Sequence, residues 1–520
     1  MAEISRRALG KGVLGLSMLG IVNLAAGCTT AGQSSTAAGA ASGSAAVKGG
    51  AITVASGVDP VPLNSVKGAA ALGPQLVFTA LYDNLMRYEA DGSVVPHLAT
   101  KVVANENNTK FTVTLRDGVK FTDGETFNAQ AFATFLEAVK VGGGPAAGDA
   151  KPLTVTVKDA LTFEIASEQP NAKVPELLAG TLGAVPSPKQ LTAADADVAP
   201  VGAGPYVYDK AKSTSGNTYT LTRNPGHWNK DAYPYDTLVV KVLTDPAARI
   251  NALKTNQVNI AELSATQAKE GEASGLTLLR QAQNWAGVNI ADREGKLVPA
   301  LKDVRVRQAI CMAFDREAIV KNALGGEGTA GNQVFPKGMA GHVDSLDTQY
   351  AFNIEKAKSL LAEAGFAGGF SLEIPAIDGI TQHNPLIITQ LKAIGITATE
   401  VKVPIQQAFA QVLGGKFPLV PGVGVSTPVS LVNEMISVSA VWNIFHTITP
   451  ELAALVTTAQ SSSGATQKKA FEDIGKYVLD NAYFAVWGHS NAIYGLTSKV
   501  SAAMLPSTSL PALRTYKPKG

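Results

Sequence analysis

Phe111-Thr112-Val113-Thr114-Leu115-Arg116-Asp117-Gly118-Val119-Lys120-Phe121-Thr122-Asp123-Gly124 opens with five residues that alternate apolar and hydroxyl side chains. That period of two is the pattern of a half-buried strand. A few residues on, the period changes. Asn128 can accept from the free amides of a helix start, and Phe132, Phe135, Leu136 and Val139 recur at helical spacing. Thr154 to Val157 and Leu161 to Ile165 return to strand patterning around Lys158-Asp159, as in a hairpin.

The same mixture extends outward in both directions. Ala51 to Ala55 reads as a first strand, stopped by Gly57 and Pro60. Gln75 to Met86 reads as a helix with Leu76, Ala80 and Leu81 on one side. A second block begins near Asn284. Asp303 can cap a helix carrying Val306, Ala309, Ile310 and Ala313, and Asp315 the next, carrying Ile319, Val320 and Ala323. Asn353 caps Ile354 to Ala364, which Gly365 stops. Leu386, Ile387, Leu391 and Ile394 give another helical face between Pro385 and Ile394. Interleaved strands and helices in both blocks predict α/β lobes. No internal repeat is visible.

The 520 residues exceed what one hydrophobic core holds, since domains split beyond about 250–300 residues. Charged residues make up 17% of the chain, below the ~25% usual for soluble domains. A net charge of +2 gives no footprint for nucleic acid. The most apolar internal stretch, Leu419 to Val432, is broken by Pro421, Gly422, Gly424 and Pro428, so it does not read as a membrane span. Of the two cysteines, Cys28 and Cys311, the second has no partner if the first is modified, and its apolar helical setting reads as core.

Residues 1–27 read as an export signal. Ser5-Arg6-Arg7-Ala8-Leu9-Gly10-Lys11 is a charged start, Gly12 to Leu24 a short apolar run, and Ala25-Ala26-Gly27 small residues before Cys28. The apolar run falls short of the ~20 residues that cross a bilayer, which disfavours an uncleaved anchor. The paired arginines resemble a twin-arginine signal, although Arg6-Arg7 also suits the general secretory route. Cys28 looks like the acylated cysteine of a lipobox, with Ala25 where leucine is usual. Residues 28–49, nearly all Thr, Ser, Ala and Gly, read as a flexible tether. The expected location is the outer face of the cell membrane, reached through lipid alone.

The order of short motifs resembles one family. Tyr82-Asp83-Asn84-Leu85, Asp91-Gly92-Ser93-Val94-Val95-Pro96-His97-Leu98-Ala99 and Leu115 to Gly124 come first. Gly202-Ala203-Gly204-Pro205-Tyr206 and Arg223-Asn224-Pro225-Gly226-His227-Trp228 follow. Asp303-Val304-Arg305-Val306-Arg307-Gln308-Ala309-Ile310, Phe314-Asp315-Arg316 and Ala357 to Gly365 complete the series. Together they are similar to the extracellular solute-binding proteins of ABC importers, in the peptide/nickel/opine class, family 5. The resemblance implies a two-lobed, hinged periplasmic-binding-protein-like fold, class II-type, with an extra insertion. It implies lobe I from residues 50–78, 201–283 and 491–520, an insertion at 79–200, and lobe II at 284–490. It also implies a small-molecule solute and ABC permease subunits as partners, a monomer, no cofactor and no catalysis.

By that analogy the ligand-binding walls are Ser56, Gly57 and Val58 at the end of the first strand, Asn284 and Trp285 at the crossover, and Val425, Ser426 and Thr427. Trp442, Asn443 and Trp487 add flat surfaces and an amide, with core packing the competing reading for each tryptophan. Peptide-binding members place an acidic residue in a segment like Gly415 to Met435. Here no carboxylate appears before Glu434. A buried ammonium needs a paired charge, so the expected solute is neutral, apolar or anionic rather than an oligopeptide with a free amino terminus.

Two enzyme motifs fail on context. Gly488-His489-Ser490-Asn491-Ala492 nearly spells a nucleophile elbow, but that fold needs a later histidine and His489 is the last. Gly326-Glu327-Gly328-Thr329-Ala330-Gly331 matches a dinucleotide fingerprint but follows a helix, so it reads as a loop. The six histidines His97, His227, His342, His383, His446 and His489 form no metal motif. Arg223, Asp303 and Arg307 read as caps and ion pairs. The remaining alternatives are an exported hydrolase on a related scaffold and a signalling or sensory lipoprotein.

Overall fold

The computed structural model describes residues 49–519, except 69–74, 91, 143, 145, 379, 425–426 and 506–507. The export segment, Cys28 and the tether up to residue 48 lie outside the described residues, as do Val425 and Ser426.

A nine-stranded sheet runs through the body. In spatial order its strands are Leu419–Gly424, Thr277–Ile290, Phe484–Leu496, Ile260–Glu262, Ala51–Ser56, Thr237–Val242, Thr218–Arg223 and Tyr206–Tyr208, with Gly328–Ala330 added against Phe484–Leu496. Ala51–Ser56 is parallel to both of its neighbours. The 14-residue strand Thr277–Ile290 and the 13-residue strand Phe484–Leu496 pair antiparallel from Thr277 opposite Leu496 to Asn289 opposite Phe484. The register shifts twice, between Ala282 and Asn284 and between Ala286 and Gly287. Such irregularities bend and twist a ladder locally.

At one end of this pair, Leu496 packs with Ile52, Val54, Phe78, Tyr219 and Leu238. At the other end, successive residues point to opposite faces, and both faces are covered. Trp285, Phe484 and Val486 pack with Leu431, Met435, Phe471 and Ile474. Val288, Ala485 and Trp487 pack with Ile310, Phe314 and Leu391. A strand buried on both faces reads as a continuous apolar run, which is why Phe484-Ala485-Val486-Trp487 lacks alternation.

A separate four-stranded sheet, in the order Ala99–Ala104, Lys110–Leu115, Thr162–Ser167 and Leu153–Val157, carries the stretch quoted at the outset. Phe111, Val113 and Leu115 are buried, as their alternation predicts. Helix Ala129–Val141 lies against it, with Phe132 stacked on Phe163 at 4.6 Å. The predicted caps are in place. Asn128 accepts from the Ala131 amide at 2.9 Å, Asp303 from Arg305 at 2.9 Å, Asp315 from Ala318 at 3.0 Å and Asn353 from Lys356 at 2.9 Å. Each such cap stabilises by about 1 kcal/mol.

Two expectations need correction. The helix expected from Gln75 to Met86 ends at Leu81, and Met86–Tyr88 is a short strand. The Gly204 amide donates to the Leu81 carbonyl at 3.0 Å, taking the acceptor that another turn would use. The close approach needs glycine, because a Cβ on Gly202 would stand 2.1 Å from the Leu81 oxygen. The expected loop at Gly326 to Gly331 contains the strand Gly328–Ala330, paired with Gly488 to Ser490.

After Leu81 the chain turns inward at Asp83. This buried carboxylate accepts from His97 Nε2 at 2.7 Å, His227 Nε2 at 2.9 Å and Trp228 Nε1 at 2.7 Å. The Arg116 guanidinium lies 3.9 Å above the Trp228 ring. Four sequence motifs therefore meet at one point. Burial opposes ionisation of Asp83, but the His97 and His227 imidazoles outweigh it and hold the carboxyl well below the usual carboxylate range. Asp83→Ala would strand two buried imidazoles and the partly buried Trp228 indole. A loss of about 3–5 kcal/mol is expected, as for other broken buried pairs, and denaturant unfolding measures it.

Candidate functional site

Residues 108–176 meet residues 427–462 along a polar seam built from segments far apart in sequence. Asn108, at a left-handed turn position (φ 54°), donates through Nδ2 to the carbonyls of Gln460 and Ser462 at 3.0 and 2.9 Å. These are terminal carbonyls of helix Pro450–Ser461, which lack partners within the helix. Gln460 Nε2 donates to Asn433 Oδ1 at 2.8 Å. Beside it, Lys173 Nζ lies 3.0 Å from Asp149 and 3.7 Å from Glu434. Thr427 Oγ1 then donates to Glu176 Oε2 at 3.4 Å. Lys173 and Glu176 sit at the start of helix Val174–Ala179, and Thr427 caps Pro428–Leu431.

Three carboxylates and one ammonium share this seam, so negative charge is in excess. Burial pushes the Glu176 carboxyl up to about 7. Lys173 and the Thr427 hydrogen bond oppose that rise, and Glu434 reinforces it. Burial also raises Glu434, against the pull of Lys173. A carboxyl in this state accepts a cation or a strong donor readily, because pairing relieves the cost of its ionisation.

A cavity of about 270 Å³ lies behind helix Val174–Ala179, lined by Phe78, Tyr82, Arg87, Tyr88, Ala179 and Leu513 among others. None of its lining residues comes from residues 284–490.

Of the residues singled out from sequence, Thr427 reaches the seam. Ser56 Oγ donates to the Val58 carbonyl at 2.6 Å and closes a turn on itself. Gly57 faces the Arg249 guanidinium, which is held by the carbonyls of Leu243, Thr244 and Glu262. Asn284 sits at a register shift of the long strands, its carbonyl accepting from Ser490 Oγ at 3.4 Å. Trp442 is partly buried against Phe409, and its carbonyl accepts from Asn289 at 3.0 Å.

Trp285, Trp487 and Asn443 do not form an open wall. Trp285 is 1% exposed and meets Phe484 edge to face at 5.3 Å. Trp487 is 2% exposed among Phe314 and His383. Both lie in the doubly covered part of the sheet, where each face is core. Asn443 is fully buried, accepting from Arg293 at 2.8 Å and donating to Ser437 and Thr447 carbonyls at 3.0 and 2.9 Å. Its amide pins a loop.

The enzyme-like motifs are structural too. Ser490 lies within a continuous strand and not on a strand-to-helix turn. A Cβ at Gly488 would stand 2.3 Å from the Thr329 oxygen, so that glycine serves strand packing. Burial lowers His489 to about 4 and raises the Cys311 thiol to about 12. Arg307 donates to the carbonyls of Leu301, Lys302 and Asn481, and Arg223 to those of Pro234 and Tyr235. Asp303 pairs with Arg305.

Sequence reasoning missed Asn108, Lys173 and Glu176. Lys173-Val174-Pro175-Glu176 does carry a helix-start signal, with proline in the first turn and an acid behind it. Nothing local shows that this start faces Thr427, some 250 residues on.

The family profile described as bacterial extracellular solute-binding proteins, family 5 Middle, matches residues 93–431. The glutathione-binding protein GsiB of Salmonella typhi is 28% identical over 353 residues, covering 65% of this chain and 67% of that protein. HbpA2 from Haemophilus parasuis gives a TM-score of 0.80 at 22% identity, over 90% of this chain and 100% of that one. NikA from Brucella suis, in complex with Fe(III)-EDTA, gives 0.76 at 20% identity, over 90% and 100%. At these identities the two structures share the fold, which is the two-lobed binding-protein fold.

Glu176 makes the body sensitive to pH. Its folded value of about 7 lies above the ordinary 4.5, so over that window the folded chain keeps a proton that the unfolded chain has lost. Stability then falls as pH rises from 4.5 to about 7 and levels off beyond. Glu176→Gln removes this dependence. Denaturant titrations near pH 5 and pH 8 are expected to show the wild type losing stability relative to the variant at the higher pH. Parallel profiles would count against a desolvated Glu176 carboxyl.

Proposed function

Because this chain belongs to the bacterial extracellular solute-binding proteins of family 5, exported receptors that serve ABC importers and are not enzymes, we propose that it captures a small solute where its insertion and second lobe meet. The solute presents a cationic or hydrogen-bond-donating group to Glu176. The observation that carries this reading is the Glu176–Thr427 contact beside Lys173–Glu434. One lobe supplies a carboxyl whose ionisation is costly, and the other supplies its hydroxyl partner. A ligand that pairs with both is bound more tightly in the closed state than in the open one, and that difference is what drives closure.

The moving parts proposed are residues 50–78, 201–283 and 491–520 with the insertion 79–200, against 284–490. The expectation of a neutral, apolar or anionic solute rested on a second-lobe segment without a carboxylate before Glu434. Glu176 now offers an acid from the other side, so peptides with a free amino terminus return as candidates. Family membership does not choose among them. The relatives named above include a glutathione-binding protein and a protein in complex with Fe(III)-EDTA.

Among the described residues, no helix is long and apolar enough to cross a membrane. The sequence pattern around Cys28 supports a lipid-anchored receptor on the outer face of the cell membrane. One acyl chain holds only marginally and two or more hold stably.

A thermal-shift screen with peptides, sugars, aromatic acids and metal chelates tests the ligand reading. The expected hit carries an ammonium or comparable donor, raises the melting temperature without turnover, and binds about tenfold or more weakly to Glu176→Gln. A hit whose affinity ignores that substitution would overturn the role given to Glu176. For the anchor, the wild type is expected to stay with membranes and incorporate labelled fatty acid, and Cys28→Ala to do neither. Unchanged membrane association of the variant would sink the lipid reading.

A further inference from the structure

We propose a divalent transition-metal site of the zinc type in the second lobe, formed by His342, Asp344 and Asp347 and separate from the seam. The three residues come from His342-Val343-Asp344-Ser345-Leu346-Asp347, a spacing that matches no common metal motif. Their ligand atoms all lie within 4.8 Å of one another.

The imidazole carries the argument. His342 Nδ1 lies 3.0 Å from the Phe335 carbonyl. A carbonyl only accepts, so Nδ1 holds a proton, and a ring with that proton alone turns a lone pair outward at Nε2. That Nε2 is buried and has no hydrogen-bond partner in acceptable geometry, and the side chain is 8% exposed. It faces Asp347 Oδ1 at 3.1 Å and Asp344 Oδ1 at 3.3 Å. A lone pair held against two carboxylate oxygens is repulsive. Either a cation sits among the three atoms, or the ring is doubly protonated.

The spacing suits the cation. For bonds of about 2.0–2.1 Å, neighbouring ligands of a tetrahedral ion stand about 3.3–3.4 Å apart. The surroundings are arranged as an outer shell commonly is. Phe335 fixes the tautomer, and Gln333 Nε2 donates to Asp347 Oδ1 at 2.6 Å. Gln333 is itself tied to Val343 through both of its amide atoms at 3.1 Å. One nitrogen and two carboxylates favour zinc or a similar borderline ion over calcium or magnesium, which prefer all-oxygen shells of higher number. The exposed ammonium of Lys337, 4.0 Å from Asp344, is the local competitor.

A metal here would brace the loop that follows Gly328–Ala330. That loop touches a long hinge strand twice. The Gly331 amide donates to the Trp487 carbonyl at 3.1 Å, and His489 Nε2 lies 3.4 Å from the Val334 carbonyl. The site's consequence is therefore stability of the hinge region, without a contact to the solute.

The full-length protein, stripped with a chelator and dialysed against Zn²⁺, tests this directly by metal analysis and thermal unfolding. One zinc per chain is expected, with a rise in melting temperature that chelator reverses. Asp344→Asn, at a position too exposed to threaten folding, and His342→Gln should each weaken zinc binding by about tenfold or more and abolish the rise. No stoichiometric zinc, or zinc binding that both variants retain, would overturn the proposal. So would a melting temperature that ignores zinc altogether, since that behaviour belongs to a simple ion pair.

Discussion

The body is organised around one antiparallel pairing, that of Thr277–Ile290 with Phe484–Leu496. These strands contribute to three hydrophobic cores, which therefore share a continuous hydrogen-bonded ribbon. A ribbon resists stretching and shear but yields to twist and bend. Its two register shifts fall between Ala282 and Gly287, in the middle of its length. A ladder bends most easily where its bonds are already interrupted.

That constraint explains why the second lobe is packed so completely around the ribbon. Trp285 and Trp487 project to opposite faces, and each is enclosed. Rigid cores on either side of a bend transmit small rotations without absorbing them. The Asp83 cluster serves the same end in the first lobe. By gathering His97, His227 and Trp228 onto one buried carboxylate, it ties segments more than a hundred residues apart. Asn108, Lys173 and Glu176 meet Gln460, Glu434 and Thr427 in the folded body.

Much of the fold was legible from sequence. The alternation at Phe111 to Leu115, the apolar helix face from Phe132 to Val139 and the caps at Asn128, Asp303, Asp315 and Asn353 are local effects. Propensity and capping act within a turn or two, so the sequence displays them directly. The helix begun at Gln75 was extended too far because its stop is not local. It ends where Gly204, more than a hundred residues on, takes the Leu81 carbonyl. The candidate site was far less legible. Neither Lys173 nor Glu176 was singled out, and Trp285 and Trp487, chosen for their flat surfaces, are core, while Trp442 is partly buried. A flat ring suits a ligand and a close-packed interior equally well, and only the covering of both sheet faces decides between them.

The sequence by itself determined the α/β class, the helix starts and the order of family motifs, because periodicity and capping are read from neighbours along the chain. Tertiary structure alone decided which charges share an environment. Asp83 gains its two histidines, Glu176 gains Thr427 and loses water, and His342 meets its carboxylates in a geometry that spacing does not disclose. The physical reason is that desolvation and pairing depend on distance through space. A carboxylate's behaviour follows from what surrounds it, and its surroundings are chosen by the fold.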